Sequence, residues 1–176
     1  MRGLVVAATA AALALGPAPG WAGEERTVRA TATWSGQGRF IPTGGGSVYF
    51  VGTFSGVLFV EDGQGVLHTA KFLCPGTLDV DVNGGRQRGE GRCVMAAGRE
   101  GSEIYARWSC QGVHGVECTG PFTLTGGSGR FKGITGQGDF RVRTATSELT
   151  AGGPGEGMME TMAGLAEWPA LRYRIP

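Results

Sequence analysis

The stretch Thr123-Leu-Thr-Gly-Gly-Ser-Gly-Arg-Phe-Lys-Gly-Ile-Thr-Gly-Gln-Gly138 decides how this chain is expected to fold. Its dense glycines are typical either of a phosphate-binding loop or of a tight turn between strands. The spacing argues against the phosphate loop, because Gly133 follows Gly127 and Gly129 one place too late for the dinucleotide fingerprint. No Gly-Lys-Ser/Thr follows either. The stretch therefore predicts a strand, a turn and a second strand.

The same stretch resembles the signature TGGTGRFxGxxGxG of the allene oxide cyclase and dirigent barrel-like superfamily, over about residues 118 to 143. The resemblance implies a single antiparallel eight-stranded barrel, calycin-like and of the allene oxide cyclase type. It also implies that Ser128 and its glycines make the turn, while Phe131 packs at the barrel end. The acidic, asparagine and cysteine motifs of the plant cyclases have no match here, so the chain is more similar to small exported bacterial members.

Alternation of apolar and polar residues continues on both sides of this stretch and independently predicts an all-β fold. It is cleanest at residues 77–82, where Leu78, Val80 and Val82 alternate with acidic residues. Residues 47–60 are apolar on both faces and indicate one bent strand or two short ones, with glycine at the bends. The remaining predicted strands are 27–34, 66–73, 88–96, 103–110, 118–125, 134–143 and 168–174.

Eight or nine short strands with intervening turns predict a sandwich or a barrel. The chain has 34 glycines in 176 residues, far above the ~7% of an average protein, and glycine permits the coiling that closes a small barrel. Residues 152–157 are predicted to be a loop, and the composition of residues 158–168 allows a short helix. A closed all-β barrel is the expected architecture.

The amino-terminal 22 residues have the layout of a signal peptide, with Arg2, an apolar run at 4–15 and Gly20-Trp21-Ala22 at the cleavage site. We expect one exported barrel domain at 23–176, in the periplasm or outside the cell. The chain carries 16 basic and 15 acidic residues, so loss of Arg2 leaves them balanced, which argues against a nucleic-acid partner. No apolar run reaches the roughly 18 residues of a membrane span.

Four cysteines in an exported chain predict two disulfides. A hairpin centred on His114 places Cys110 directly opposite Cys118. The remaining two, Cys74 and Cys93, approach each other when the chain turns at Asn83-Gly-Gly85.

The spacing Cys110-x3-His114-x3-Cys118 also allows a zinc site, with Glu117 as a poor fourth ligand. An oxidising compartment favours the disulfide, and we expect no metal and no cofactor. A separate cluster of mixed charges is interpreted as a solvated outer face rather than as a carboxylate or calcium site. Its members are Asp79, Asp81, Arg88, Glu90, Arg92, Glu103 and Arg107.

The alternation also predicts which side chains face the barrel interior. They are Trp34, Phe50, Phe54, Phe72, Leu78, Val80, Trp108, Phe122 and Phe140. So many large rings fill most of an eight-stranded barrel and leave a narrow pocket at one mouth. We expect a small flat molecule or an acyl tail there, in contact with Phe72 and Trp108, with His68 or Tyr49 as the polar contact.

Two functions of different class fit these expectations. The first is a non-enzymatic protein that binds a small apolar ligand or serves a structural envelope role. The second is an isomerase or cyclase that acts on a lipid-like substrate in the barrel cavity. The predicted interior offers few convergent polar groups, and His68 and His114 suggest no catalytic triad, so no catalytic residue is assigned and the sequence favours the first function.

Overall fold

A computed structural model describes residues 23, 25–98, 101–152 and 157–176. Eight strands form a closed barrel in which each pairs antiparallel with its neighbours in sequence, and β1 pairs with β8 to close it. The predicted fold class is confirmed. The strands are β1 Glu25–Gly44, β2 Ser47–Val60, β3 Ala70–Asp81, β4 Arg86–Ala96, β5 Glu103–Val113, β6 Glu117–Gly127, β7 Thr135–Ala151 and β8 Met158–Arg174.

The structure does not describe the amino-terminal segment, and the described residues contain almost no helix. The predicted signal peptide, residues 1–22, lies outside the described residues. Within the described ranges, no helix is long and apolar enough to cross a membrane. In the same ranges, the one helix is the three-residue 3-10 turn η1, Gly129–Phe131.

The predicted strands 66–73 and 77–82 are in fact parts of one strand, since β3 runs through Cys74-Pro75-Gly76 without a turn. Proline has no N–H to donate and usually ends a central strand. Here the paired register between β3 and β4 passes from Leu73 to Gly76 and omits Pro75, while pairing with β2 continues. The backbone therefore accepts the proline at a gap in one ladder.

The segment 158–168 is strand rather than helix, which corrects the composition-based expectation. It forms the first part of β8 and pairs with β1 on one side and β7 on the other. Hydrogen bonding along both edges outweighs local helix propensity, which is worth only about 0–0.7 kcal/mol per ordinary residue. Residues 47–60 likewise form the single strand β2.

Inward-facing glycines make room for aromatic rings, a role different from the bends expected of them. A Cβ atom on Gly56 would lie 2.6 Å from the Phe72 ring, and one on Gly76 would lie 2.6 Å from the Trp108 ring. Real Cβ contacts are not that short. Glycine beside a ring is thus how this narrow barrel accommodates so many aromatic side chains.

One end of the barrel, called here the packed end, is closed by apolar side chains. It holds the β2–β3, β4–β5 and β6–β7 connections, and η1 lies in the last of them. Phe131 of η1 is fully buried, as expected, and the Arg130 guanidinium lies 4.7 Å from its ring centre. Ser128 fixes the turn, since its Oγ accepts the Glu103 N–H at 3.0 Å. Other fully buried side chains here are Leu67, Ile104, Ile134 and Leu171.

The opposite end, called the turn end, holds the β1–β2, β3–β4, β5–β6 and β7–β8 connections. The predicted charged outer face lies along the barrel wall between the two ends. Asp79, Arg88, Glu90, Arg92 and Arg107 are exposed, and Asp79 lies opposite Arg88 in register. Asp81 and Glu103, the other two members of the predicted cluster, are half-buried, so the solvated surface comprises five of the seven.

Candidate functional site

The barrel interior contains a cavity of about 100 Å³. All nine side chains predicted to face inward belong to the buried core or pack against it. Aromatic rings supply most of the cavity wall: Trp34, Phe54, Phe72, Trp108, Phe122, Phe140 and Trp168. An apolar cavity of about 150 Å³ in another protein binds benzene, so a single ring is the upper limit of what this smaller cavity holds.

The rings of the wall hold one another in place. Phe54 lies edge-on to Trp34 at 5.9 Å and edge-on to Trp108 at 5.7 Å. On the other side of the interior, Phe140 stacks against Trp168 at 6.1 Å. Edge-to-face and offset-stacked pairs are the favoured arrangements of aromatic rings. The cavity therefore has a wall that is ordered before any ligand arrives.

Both predicted disulfides are present, and all four cysteines line the cavity. Cys74 and Cys93 occupy facing positions on β3 and β4, with their Cα atoms 4.1 Å apart. Because the Cys110 and Cys118 sulfurs are bonded to each other, they are not thiolate ligands, and the zinc interpretation is wrong.

The second disulfide differs in register from the prediction. Cys118 lies opposite Gly112, so its bond to Cys110 runs diagonally between the strands, with a Cα separation of 5.5 Å. The hairpin turns at Gly115, which has a φ of 71°, one residue later than His114. The cysteine spacing therefore predicted which cysteines bond to each other, but not which residues face each other across the hairpin.

A chain of buried polar groups lies at the turn end. Glu160 of β8 is fully buried, and its Oε1 accepts a hydrogen bond from the Ser147 hydroxyl. His114 reaches in from the β5–β6 turn, with Nε2 3.1 Å from the same Oε1 and Nδ1 2.9 Å from Gln87 Oε1. Gln87 and Gly115 line the cavity, so this polar cluster closes its end.

The hydrogen bonds constrain where protons lie in this cluster. Gln87 Oε1 only accepts, so His114 Nδ1 donates to it. One proton then lies between His114 Nε2 and Glu160 Oε1, which makes the pair imidazolium with carboxylate or imidazole with carboxylic acid. Glu160 Oε2 is buried with no hydrogen-bond partner among the described residues. The cluster thus places an imidazole nitrogen and a buried carboxyl oxygen within hydrogen-bond distance of each other.

The four residues expected to contact a ligand lie in different places. Phe72 and Trp108 line the cavity. Tyr49 lies on the outer face, 38% exposed, because its neighbour Phe50 points inward. His68 lies in the β2–β3 connection at the packed end, where Nδ1 accepts the Val60 N–H at 3.2 Å. Neither polar residue is among those that line the cavity.

The polar cluster was not found from the sequence. Glu160 lies in the segment interpreted as a short helix, and His114 was assigned only to a hairpin. One available signal was the alternation Glu160, Met162, Gly164, Ala166 and Trp168, which places a carboxylate on an otherwise apolar inward face.

Comparison with known proteins assigns neither a family nor a function. No protein-family model matches the sequence, and no curated protein is significantly similar to it. Among solved structures, the chain is similar to a pterocarpan synthase dirigent protein, at 11% sequence identity and a TM-score of 0.40, over 97% of this chain and 100% of that chain. A likeness at this level transfers neither residues nor activity.

Proposed function

We propose that this protein binds one small apolar molecule, about the size of a single ring or the end of an acyl chain, inside the barrel. The observation that carries the proposal is the cavity of about 100 Å³ with its aromatic wall. Protein interiors are usually packed so closely that few voids exceed a water molecule. Phe72 and Trp108 are the ligand contacts retained from the sequence, and His68 and Tyr49 are not.

Energy considerations favour an occupied cavity. An apolar void costs roughly 24 cal/mol per Å³, so a cavity of about 100 Å³ costs on the order of 2 kcal/mol. A molecule of matching shape recovers that cost through contact with the wall. The cross-linked strands keep the wall from collapsing into the void instead.

Binding of toluene tests this function. Partition of toluene from the headspace is measured by gas chromatography for the native chain and for Ala166→Leu, which fills the cavity from its wall. The matched control is Ala170→Leu, an exposed site on the same strand. Binding by the native and control chains, lost in Ala166→Leu, supports the function. Absence of binding to the native chain rejects it.

The polar cluster favours a second candidate function, that of an isomerase or cyclase acting on a lipid-like substrate. The specific observation is that His114 Nε2 lies 3.1 Å from Glu160 Oε1, while Nδ1 of the same ring contacts Gln87, which lines the cavity. Such a pair is suited to general acid–base catalysis. Proton exchange at the carbon beside the carbonyl of cyclohexanone in deuterated water tests it. The rate should fall to background in Glu160→Gln and persist in Thr161→Ala, an exposed neighbour on the same strand.

The two disulfides indicate an oxidising environment. We propose in addition that residues 1–22 are a signal peptide and that 23–176 is the exported single domain. Amino-terminal sequencing of secreted protein should then begin at Gly23, whereas retention of Met1 contradicts the proposal. Membership of the allene oxide cyclase and dirigent barrel-like superfamily is likewise proposed, on the Thr123–Gly138 stretch, which spans the end of β6, η1 and the start of β7.

A further inference from the structure

Two hydrogen-bond donors in the cavity wall have no partner. Trp34 and Trp168 are 8% and 5% exposed, and both line the cavity. The Nε1 atom of each is buried and makes no hydrogen bond within the described part of the chain. Buried indole N–H groups usually find an acceptor, so two orphans in one cavity require an explanation.

Neither ring is free to turn towards a backbone acceptor. Trp34 packs edge-on against Phe54 at 5.9 Å. Trp168 lies between Phe122 at 5.4 Å and Phe140 at 6.1 Å. A trapped water is a poor substitute, because a buried water needs two to four polar partners and each indole supplies one.

We propose that the ligand of this cavity carries a neutral hydrogen-bond acceptor, a carbonyl oxygen, that accepts from Trp34 or Trp168. The inference rests on the proposed function and names the ligand class: a ring-sized aromatic aldehyde, ketone or quinone. A free carboxylate does not fit, because no basic side chain is among the described residues that line the cavity. An anion there would be buried without a counter-charge.

The test compares toluene with benzaldehyde, which have similar shapes and differ in the acceptor. Dissociation constants of both are measured by headspace partition for the native chain, Trp34→Phe and Trp168→Phe. The matched control is Leu78→Ala, which also enlarges the cavity, but at a side chain that carries no hydrogen-bond donor. Extra cavity space affects both ligands alike, so the ratio of the two constants isolates the hydrogen bond.

The preference for benzaldehyde over toluene should fall about tenfold in Trp34→Phe or Trp168→Phe, the size of one hydrogen bond, and stay unchanged in Leu78→Ala. An equal ratio in all four proteins overturns the inference while leaving a binding cavity. If neither compound binds the native chain, the proposed function fails as well.

A measurement on the native chain tests the inference even if the tryptophan variants do not fold. Benzaldehyde should shift the indole N–H nuclear magnetic resonance of Trp34 or Trp168 downfield, because the N–H gains an acceptor. Toluene should not do so. Equal responses to the two compounds contradict the inference.

Discussion

The two ends of this barrel are closed in opposite ways. At the packed end, the space is filled by the apolar side chains of Phe131, Leu67 and Ile134, each of which is fully buried. At the turn end, closure depends on hydrogen bonds that run from Gln87 through His114 to Glu160. An apolar core loses stability when a cavity is left in it, but its side chains need no specific partner. A buried polar group instead needs its own hydrogen-bond partner. The difference indicates that closure of the packed end depends on apolar burial, whereas closure of the turn end depends on specific hydrogen-bond partners.

Phe131→Ala should give the largest effect, since it opens the packed end. Removal of a fully buried phenylalanine costs about 3–5 kcal/mol of unfolding free energy, measured by urea denaturation. Phe59→Ala is the control, because that ring is 42% exposed. Similar losses in both variants would mean that burial at this end does not determine stability.

Loss of the disulfides should come next, and unequally. Replacing Cys74 and Cys93 together with alanine should cost about 3 kcal/mol, against about 2.5 kcal/mol for Cys110 and Cys118, because unfolded-chain entropy depends on loop length. The sequence separations are 19 and 8. Urea denaturation of the two double variants measures the difference. A larger loss from the Cys110–Cys118 pair would show that it supports the turn end beyond cross-linking.

His114→Ala should cost about 2 kcal/mol, because it leaves Glu160 buried without its His114 partner. Combining it with Glu160→Met should restore part of that loss, since two apolar groups leave no orphan charge. Urea denaturation of the single and double variants measures this recovery. Additive losses would show that the turn end behaves like the packed end and would remove the contrast between them.

Arg130→Ala should have the smallest effect. Its guanidinium covers Phe131 from the solvent side, a contact worth about 0.5–1 kcal/mol at an exposed site. Lys132→Ala is the matched control, a neighbouring exposed cation. Thermal unfolding should place Arg130→Ala slightly below the native chain and Lys132→Ala level with it. A large loss would indicate that the Arg130 hydrogen bond to Ala97 O is the main contact.

Features that depend on local pattern could be predicted from this sequence. Period-2 alternation depends on the backbone alone, so it identified the inward side chains, including Phe50 and Trp108, before any pairing was known. The Thr123–Gly138 turn and the disulfide partners likewise depend on short spacings. Even so, a shift of one residue in the β5–β6 turn changed which residue faces Cys118.

Features that depend on strands meeting across the barrel could not be predicted. His114 and Glu160 are 46 residues apart in sequence and meet only because the barrel closes. Pro75 lies within a strand because the ladder to β4 has a gap there, which sequence alone does not show. His68 was assigned to a strand face, but it lies in a connection. In each case tertiary context overrode the local signal.

Closure between β1 and β8 also has a consequence for how the chain is made. Glu25 pairs with Arg174, so one edge of β1 remains uncovered until β8 has been synthesised. Until then β1 presents unpaired N–H and C=O groups, which are a template for association with other chains. Pairings between such distant residues also slow folding. The nascent chain therefore depends on being kept apart from its copies until its carboxyl-terminal strand is released.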